Sequence, residues 1–343
     1  RAARNHHSNW PTPHREKMKW LAVALLGIAV ASCGPEEAGQ SQRERTLPPS
    51  NGSHNDLTVI CPQDLWESFA GLAVIAELGK PAPALPQSEP TFSLIHVAPQ
   101  KVNSLLRRGK SLLSLEVIPD STAMLVVRDV YARPQIAIQI IAPSAESLRD
   151  LLPKALAQAS EIYREHDENV LASRMRSSAQ NPLPKEVKAL GIKSMILPEG
   201  FAVTLSKPGL VVLHLETKKS TQYLVLTRTP HGDSPTPEAD VITDRDALLG
   251  QYFEGPQAKS HLATEMLLPP VQEFDDSHGA RRLSTKGLFK TVGGFGGGPF
   301  VSVRSFLNDA SIGTADAMLF APGTSKNRLR MELDLITASV VWE

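Results

Sequence analysis

The chain has 343 residues, is 41% hydrophobic, and carries 36 Lys plus Arg against 36 Asp plus Glu. That length holds one large domain or two ordinary ones with a proper core, and the balanced charge leaves no global field to draw the protein onto nucleic acid or an acidic surface. Aromatics at 5% beside 27 prolines argue against a base-stacking surface and for many proline-punctuated turns.

The N-terminal segment reads as an address. Residues 1–17, with His6 and His7, precede Met18 and read as an over-translated leader; two imidazoles without a third ligand nearby make a poor metal site. Arg15, Lys17 and Lys19 then lead into an apolar run from Trp20 to Ala31. A bilayer-crossing helix needs about 20 residues, and this run is too short. A basic region, a short apolar region and small residues in that order describe a secretory signal over 18–32. It ends in Val30-Ala31-Ser32-Cys33, which resembles the lipobox of bacterial lipoproteins. The expectation is cleavage before Cys33 and lipid, palmitate among the acyl chains, on and beside its thiol. Only a thiol is nucleophilic enough for that alkylation. Each buried lipid CH₂ contributes about 0.8 kcal/mol, so two or three chains make a stable anchor. The expected partner is the lipid bilayer through acylated Cys33, and the expected place is the cell envelope at the outer membrane, on its periplasmic or surface-exposed side.

Residues 33–55 are polar, rich in Gly, Pro, Ser, Gln and Glu, and without apolar periodicity, so they read as a flexible tether. If Cys33 is lipidated, Cys61 lacks an intramolecular partner; it ends the strand-like run Leu57–Cys61 and reads as a small buried thiol.

A first α/β half spans 56–180. Strands are expected at Leu57–Cys61, Phe92–Val97, Leu112–Ile118, Met124–Tyr131 and Gln135–Ile141. A helix is expected over Leu65–Glu77, with Leu65, Phe69, Leu72, Ala73 and Ala76 facing one core. A short helix follows over Gln100–Arg108. Ser144 caps a long one through about Ser173, where His166, Asp167 and Glu168 are expected to be exposed. Pro182 and Pro184 mark a break, and a second α+β half spans 181–343. There Lys185–Leu190 is helical, and Phe201–Leu205, Val211–Glu216 and Gln222–Arg228 form an antiparallel meander, with turns at Pro208-Gly209 and Lys218–Ser220. A helix begins near Thr243 or Asp244, followed by strands Arg281–Lys290, Pro299–Leu307 and Asp316–Pro322 and a helix over Ser325–Val341. Together these define an α+β fold, with mixed or antiparallel sheets covered by helices in two packed halves.

Chemistry-bearing motifs are sparse. Gly293-Gly294-Phe295-Gly296-Gly297-Gly298 opens a strand, without the Lys-Ser or Lys-Thr of a phosphate loop. A hairpin or close backbone approach is the ordinary reading; the alternative is a ligand loop of Gly294, Phe295, Gly296, Gly297 and Gly298 closing over a small molecule. Asp275, Asp276 and His278, followed by Arg281 and Arg282, read as a solvated turn, since consecutive carboxylates point apart and no second cluster supports them. No Gly-x-Ser-x-Gly, His-Glu-x-x-His or Cys-x-x-Cys occurs. No catalytic residue, metal site or cofactor is assigned.

Three phrases, Leu85–Phe92, Arg128–Gln135 and Gly297–Ser302, resemble a family of Bacteroidetes lipoproteins carrying domain of unknown function DUF4837, over nearly the whole mature chain. The resemblance implies a lipoprotein signal and a closing strand and helix like Ala317–Val341, and it brings no catalytic residues. Gly296 stands where the family tends to place Met, and Phe289 where it tends to place Trp. Glu36 and Glu37 follow the lipidated position, where such lipoproteins carry surface-routing acids; a solvated tether explains them equally. The resulting expectation is a membrane-anchored envelope lipoprotein that binds an envelope protein or assists an assembly. An envelope hydrolase or transferase acting on glycans or peptides, and a small-ligand carrier, are the alternatives.

Overall fold

The first of two large sheets is centred on runs apolar enough to be buried on both faces, as parallel strands require. The computed structural model describes residues 46–230, 237–255, 257–275 and 281–343. The leader, the signal, Cys33, Glu36, Glu37, Asp276 and His278 lie outside the described residues. Strands β1 (Asp56–Ile60), β2 (Ser93–Val97), β3 (Ser111–Val117), β4 (Ala123–Arg128) and β5 (Ile136–Ala142) form a sheet of order β2-β1-β3-β5-β4. β1 runs parallel to β2 and β3, β3 parallel to β5, and β4 is the antiparallel edge. β1, β2, β3 and β5 lie within a residue of their expected places, and β4 ends at Arg128, three residues short of the expected Tyr131.

The helix expected over Leu65–Glu77 is two: α1 (Gln63–Trp66) and α2 (Phe69–Leu78). Ser68 caps the second, its hydroxyl accepting from the Ala70 N–H at 3.4 Å. The expected core face holds for Leu65, Phe69 and Ala73, which pack against the first core, and is corrected for Leu72 and Ala76, which are exposed. Ala70, Gly71, Val74 and Leu78 are buried, while Leu72 is 70% exposed. Phe69–Leu78 is apolar almost all round, so spacing alone cannot choose a face, and the restart at Ser68 sets the phase. The helix expected over Gln100–Arg108 is likewise a 3₁₀ turn at Pro99–Lys101 followed by α3 (Ser104–Arg107), capped by Asn103.

Helix α4 (Ala145–Ser177) begins where Ser144 accepts the Ser147 N–H at 3.1 Å. Its inward residues Leu148, Leu152, Ala155, Leu156, Ala159 and Tyr163 recur at helical spacing and pack on the first sheet. The buried Tyr163 hydroxyl donates to the Leu112 carbonyl at 2.6 Å. Further along, Leu171, Ala172 and Met175 enter a different core. At about 1.5 Å per residue a helix of 33 residues is roughly 50 Å long, long enough to serve both.

That second core lies on an antiparallel eight-stranded sheet. Its members are β7 (Ala202–Lys207), β8 (Leu210–Glu216), β9 (Thr221–Pro230), β10 (His261–Glu265), β11 (Val271–Asp275), β12 (Arg282–Val292), β13 (Gly297–Phe306) and β14 (Ser311–Phe320). The order is β10-β12-β13-β14-β9-β8-β7, with β11 also on β12. Helices α5 (Lys185–Ala189) and α7 (Asn327–Ala338) belong to the α4 side, where Val187, Leu333 and Ile336 meet Leu213, Leu224 and Ala317. Helix α6 (Pro237–Tyr252) covers the other face, where Leu249 packs with Met318 and Phe300. A small ladder of β6 (Ile192–Ser194) with β15 (Val341–Trp342) closes the C-terminal end. The fold is α+β, as the sequence pattern implies. β6, β10, β11 and β15 were not expected: β6 and β15 are too short for a period to show, and all five residues of β11 are exposed.

The polar stretch expected to be tether through Asn55 is bound to the body from Pro48 onward. Pro48 O accepts from Arg133 N at 2.9 Å, Ser50 N donates to Arg133 O at 3.1 Å, and Asn51 N donates to Arg108 O at 2.9 Å. Backbone pairing needs no apolar side chains, which is why composition conceals this strap.

Candidate functional site

The strap ends at His54 and Asn55, and what it meets there is polar. Lys110 Nζ donates to Gly52 O at 2.7 Å, and Asn55 N donates to Asp167 Oδ2 at 2.9 Å. Asn55 adopts φ 68°, a left-handed conformation that asparagine tolerates better than most residues. This turn drives His54 inward, leaving it 4% exposed.

His166 and Asp167 on α4 are buried too, at 5% and 1% exposure, against the expectation that this stretch faces water. Their turn of the helix faces the strap, a contact between residues more than a hundred positions apart. Burial drives the Asp167 carboxyl up to about 6, only partly opposed by the Asn55 N–H and Lys110. Burial, with Arg128 beside it, lowers the His166 imidazole to about 4; Arg128 Nη1 lies 3.2 Å from His166 Nδ1. Burial also lowers His54 to about 4, reinforced by the positive charges of Lys110, Arg328 and Arg174. Both imidazoles are therefore neutral at physiological pH, and His54 Nδ1, His166 Nε2 and Asp167 Oδ1 are buried without a hydrogen bond. Orphaned polar atoms of this kind are uncommon and point to strain, bound water or a ligand.

His54 lines a cleft of about 770 Å³. Its walls come from four segments: the strap and the start of β1, Glu89 and Pro90 before β2, the β8–β9 turn with Lys218 and Lys219, and the first turns of α7 with Arg328 and Glu332. Glu89 fixes the α7 wall. Its carboxylate accepts from Ser325 Oγ at 2.6 Å, Lys326 N at 2.8 Å and Asn327 N at 2.9 Å, a helix cap supplied from far away in sequence. The hydrogen bonds to Ser325, Lys326 and Asn327 hold Glu89 below the usual carboxylate range, against its desolvation. Glu332 is pushed up by burial and faces Arg328 Nε at 3.9 Å.

The residues singled out from sequence lie elsewhere. Gly294, Phe295 and Gly296 form the turn between β12 and β13, and Gly297 and Gly298 begin β13. Gly293 and Gly296 take φ 74° and 121°, so the glycines serve a hairpin. Phe295 is 90% exposed and lines neither the 770 Å³ cleft nor two smaller cavities of about 500 and 220 Å³. Arg282 donates to the carbonyls of Ala338 and Val340, both at 2.9 Å, tying β12 to the end of α7. Cys61 is fully buried, and burial raises its thiol to about 11. Among the described residues no three His, Cys, Asp or Glu side chains could hold a metal, and no Ser, Thr or Cys side chain hydrogen-bonds a histidine. His54, Glu89 and Arg328 carried no sequence signal of a site, since only folding joins them, and Lys218 and Lys219 read from sequence only as turn residues.

Fold and site together define an α+β protein whose two large sheets share one long helix, with a cleft between the strap and the second sheet's connections. Residues 184–339 match the family model Domain of unknown function (DUF4837), the family the sequence resembles. Residues 50–176 match a second, Domain of unknown function (DUF8532). The extent of the resemblance is thereby corrected. Of the three phrases that carried it, Gly297–Ser302 falls in the first match, whereas Leu85–Phe92 and Arg128–Gln135 fall in the second. No curated protein matches the chain.

Proposed function

We propose that this protein is a lipid-anchored lipoprotein of the cell envelope, held at the outer membrane through Cys33, and that its body is a binding or assembly-accessory module. The carrying observation is the order Lys17, Lys19, the apolar run to Ala31, then Ser32-Cys33, which suits export followed by thioether formation. No described helix is long and apolar enough to cross a membrane, so attachment by lipid supplies what those helices do not. The test is intact-mass analysis of the mature protein from membranes. The expected species begins at Cys33 and carries diacylglyceryl and acyl mass, and Cys33→Ser leaves an uncut, unlipidated precursor. An unmodified N-terminus on the wild-type chain would overturn the reading.

The cleft beside His54 favours binding as the body's activity, since about 770 Å³ falls within the size of ligand sites. The small-ligand alternative is thus moved from Phe295 to this cleft. The hydrolase or transferase alternative gains no nucleophile and base in hydrogen-bond reach among the described residues.

A further inference from the structure

We propose that the cleft beside the strap takes a small anionic ligand, a carboxylate- or phosphate-bearing molecule, with His54 as the hydrogen-bonding group at its floor and Arg328, Lys218 and Lys219 as the charges at its rim. This rests on the reading of the body as a binding module and names the ligand's class.

Three observations lead to it. The His54 side chain is 4% exposed and lines the cleft, and its buried Nδ1 makes no hydrogen bond. A buried polar group left unpaired costs about 1–3 kcal/mol, a cost that a ligand oxygen accepting from the imidazole N–H removes. Next, the acids of the cleft are already engaged. Glu89 accepts three hydrogen bonds from the start of α7, Asp56 accepts the Ser53 N–H at 2.6 Å, and Glu332 faces Arg328. The lysines are not: Lys218 and Lys219 are exposed and form no ion pair among the described residues. Finally, Lys110, Arg328 and Arg174 lie near enough to His54 to reinforce the lowering of its imidazole by burial. Cations gathered on a partly desolvated cleft whose acids are engaged, with an unpaired imidazole nitrogen beside them, favour an anion over a neutral or cationic guest.

The full mature protein is titrated calorimetrically with inorganic phosphate, succinate and choline, at constant ionic strength set with sodium chloride. Saturable binding of phosphate or succinate is expected, and which one binds separates phosphate from carboxylate recognition. Arg328→Gln is expected to weaken binding about tenfold, the paired Lys218→Gln and Lys219→Gln change several-fold, and His54→Phe at least tenfold. Should His54→Phe fail to fold, the Arg328 and lysine variants carry the test, since their side chains are half-exposed or exposed. Anion binding indifferent to Arg328→Gln and to the lysine pair would overturn the assignment. Saturable binding of choline alone would overturn it while leaving the binding-module reading intact; no binding by any probe would remove both. Lipidation of Cys33 is read independently by mass.

Discussion

Acidification should destabilise this protein through two histidines far more than its surface chemistry would suggest. His54 and His166 both titrate near 4 in the fold against about 6.5 in an unfolded chain. The unfolded state therefore takes up protons first as pH falls. Their stabilisation is complete above about pH 6.5 and is lost down to about pH 4. At about 1.4 kcal/mol per unit, each histidine contributes a loss of about 3 kcal/mol. Asp167 works in the opposite sense. Its carboxyl titrates near 6 in the fold against about 3.9 unfolded, so the native state binds that proton first and regains about 3 kcal/mol over much the same window. The net loss between pH 7 and pH 4 is then about 3 kcal/mol from this cluster, a large fraction of a typical domain's stability. Urea denaturation midpoints measured at half-unit steps from pH 7 to pH 4.5 resolve it. His166→Gln, which keeps an acceptor for Arg128, should remove about half of the histidine-driven slope. Asp167→Asn should raise stability at pH 7 and steepen the acid loss, because the opposing proton uptake is gone. A wild-type midpoint that stays level or rises on acidification, or a slope unchanged in His166→Gln, refutes the reasoning.

Glu89→Ala removes the acceptor of Ser325 Oγ, Lys326 N and Asn327 N; calorimetry should show a loss of about 1–2 kcal/mol, with Glu89→Gln in between, and an unchanged Tm would show the cap to be idle. Gly298→Ala would place a Cβ 1.9 Å from the Leu319 carbonyl oxygen on β14, where only backbone could give way. It should cost more than about 2 kcal/mol, whereas Phe295→Ser, on a 90% exposed side chain, should stay within about 0.5 kcal/mol. Equal effects of the two substitutions in chemical denaturation would contradict the hairpin reading of the glycine stretch.

Strands were legible wherever an apolar run had to be buried: β1, β3, β5, β8 and β9 lie within a residue or two of their expected places. Helix α4 was legible from Ser144 and its apolar spacing. The face of α2 was not, because ten nearly continuous apolar residues offer no contrast between sides, and β11 was not, because all its residues face water. The cleft was invisible for a different reason. His54 and Arg328 follow no local pattern, Lys218 and Lys219 mark only a turn, and nothing in residues 48–55 announces a strap held by backbone hydrogen bonds. His166 and Asp167 looked solvated because charge is ordinarily solvated; their burial depends on the strap crossing that turn of α4.

The two family models meet near the end of α4, yet the chain gives them no energetic independence. Leu148 to Tyr163 complete the core of the first sheet, and Leu171, Ala172 and Met175 complete that of the second, on one unbroken helix. Fraying α4 from its N-terminal end would expose the first core, and fraying it from its C-terminal end the second. Glu89, within the first match, caps α7 within the second, and Ser325 to Asn327 answer it. The cleft draws on both matches, with His54 from one and Lys219 and Arg328 from the other. Any ligand seated there bridges the two segments, so its binding free energy adds to the cohesion of the whole body.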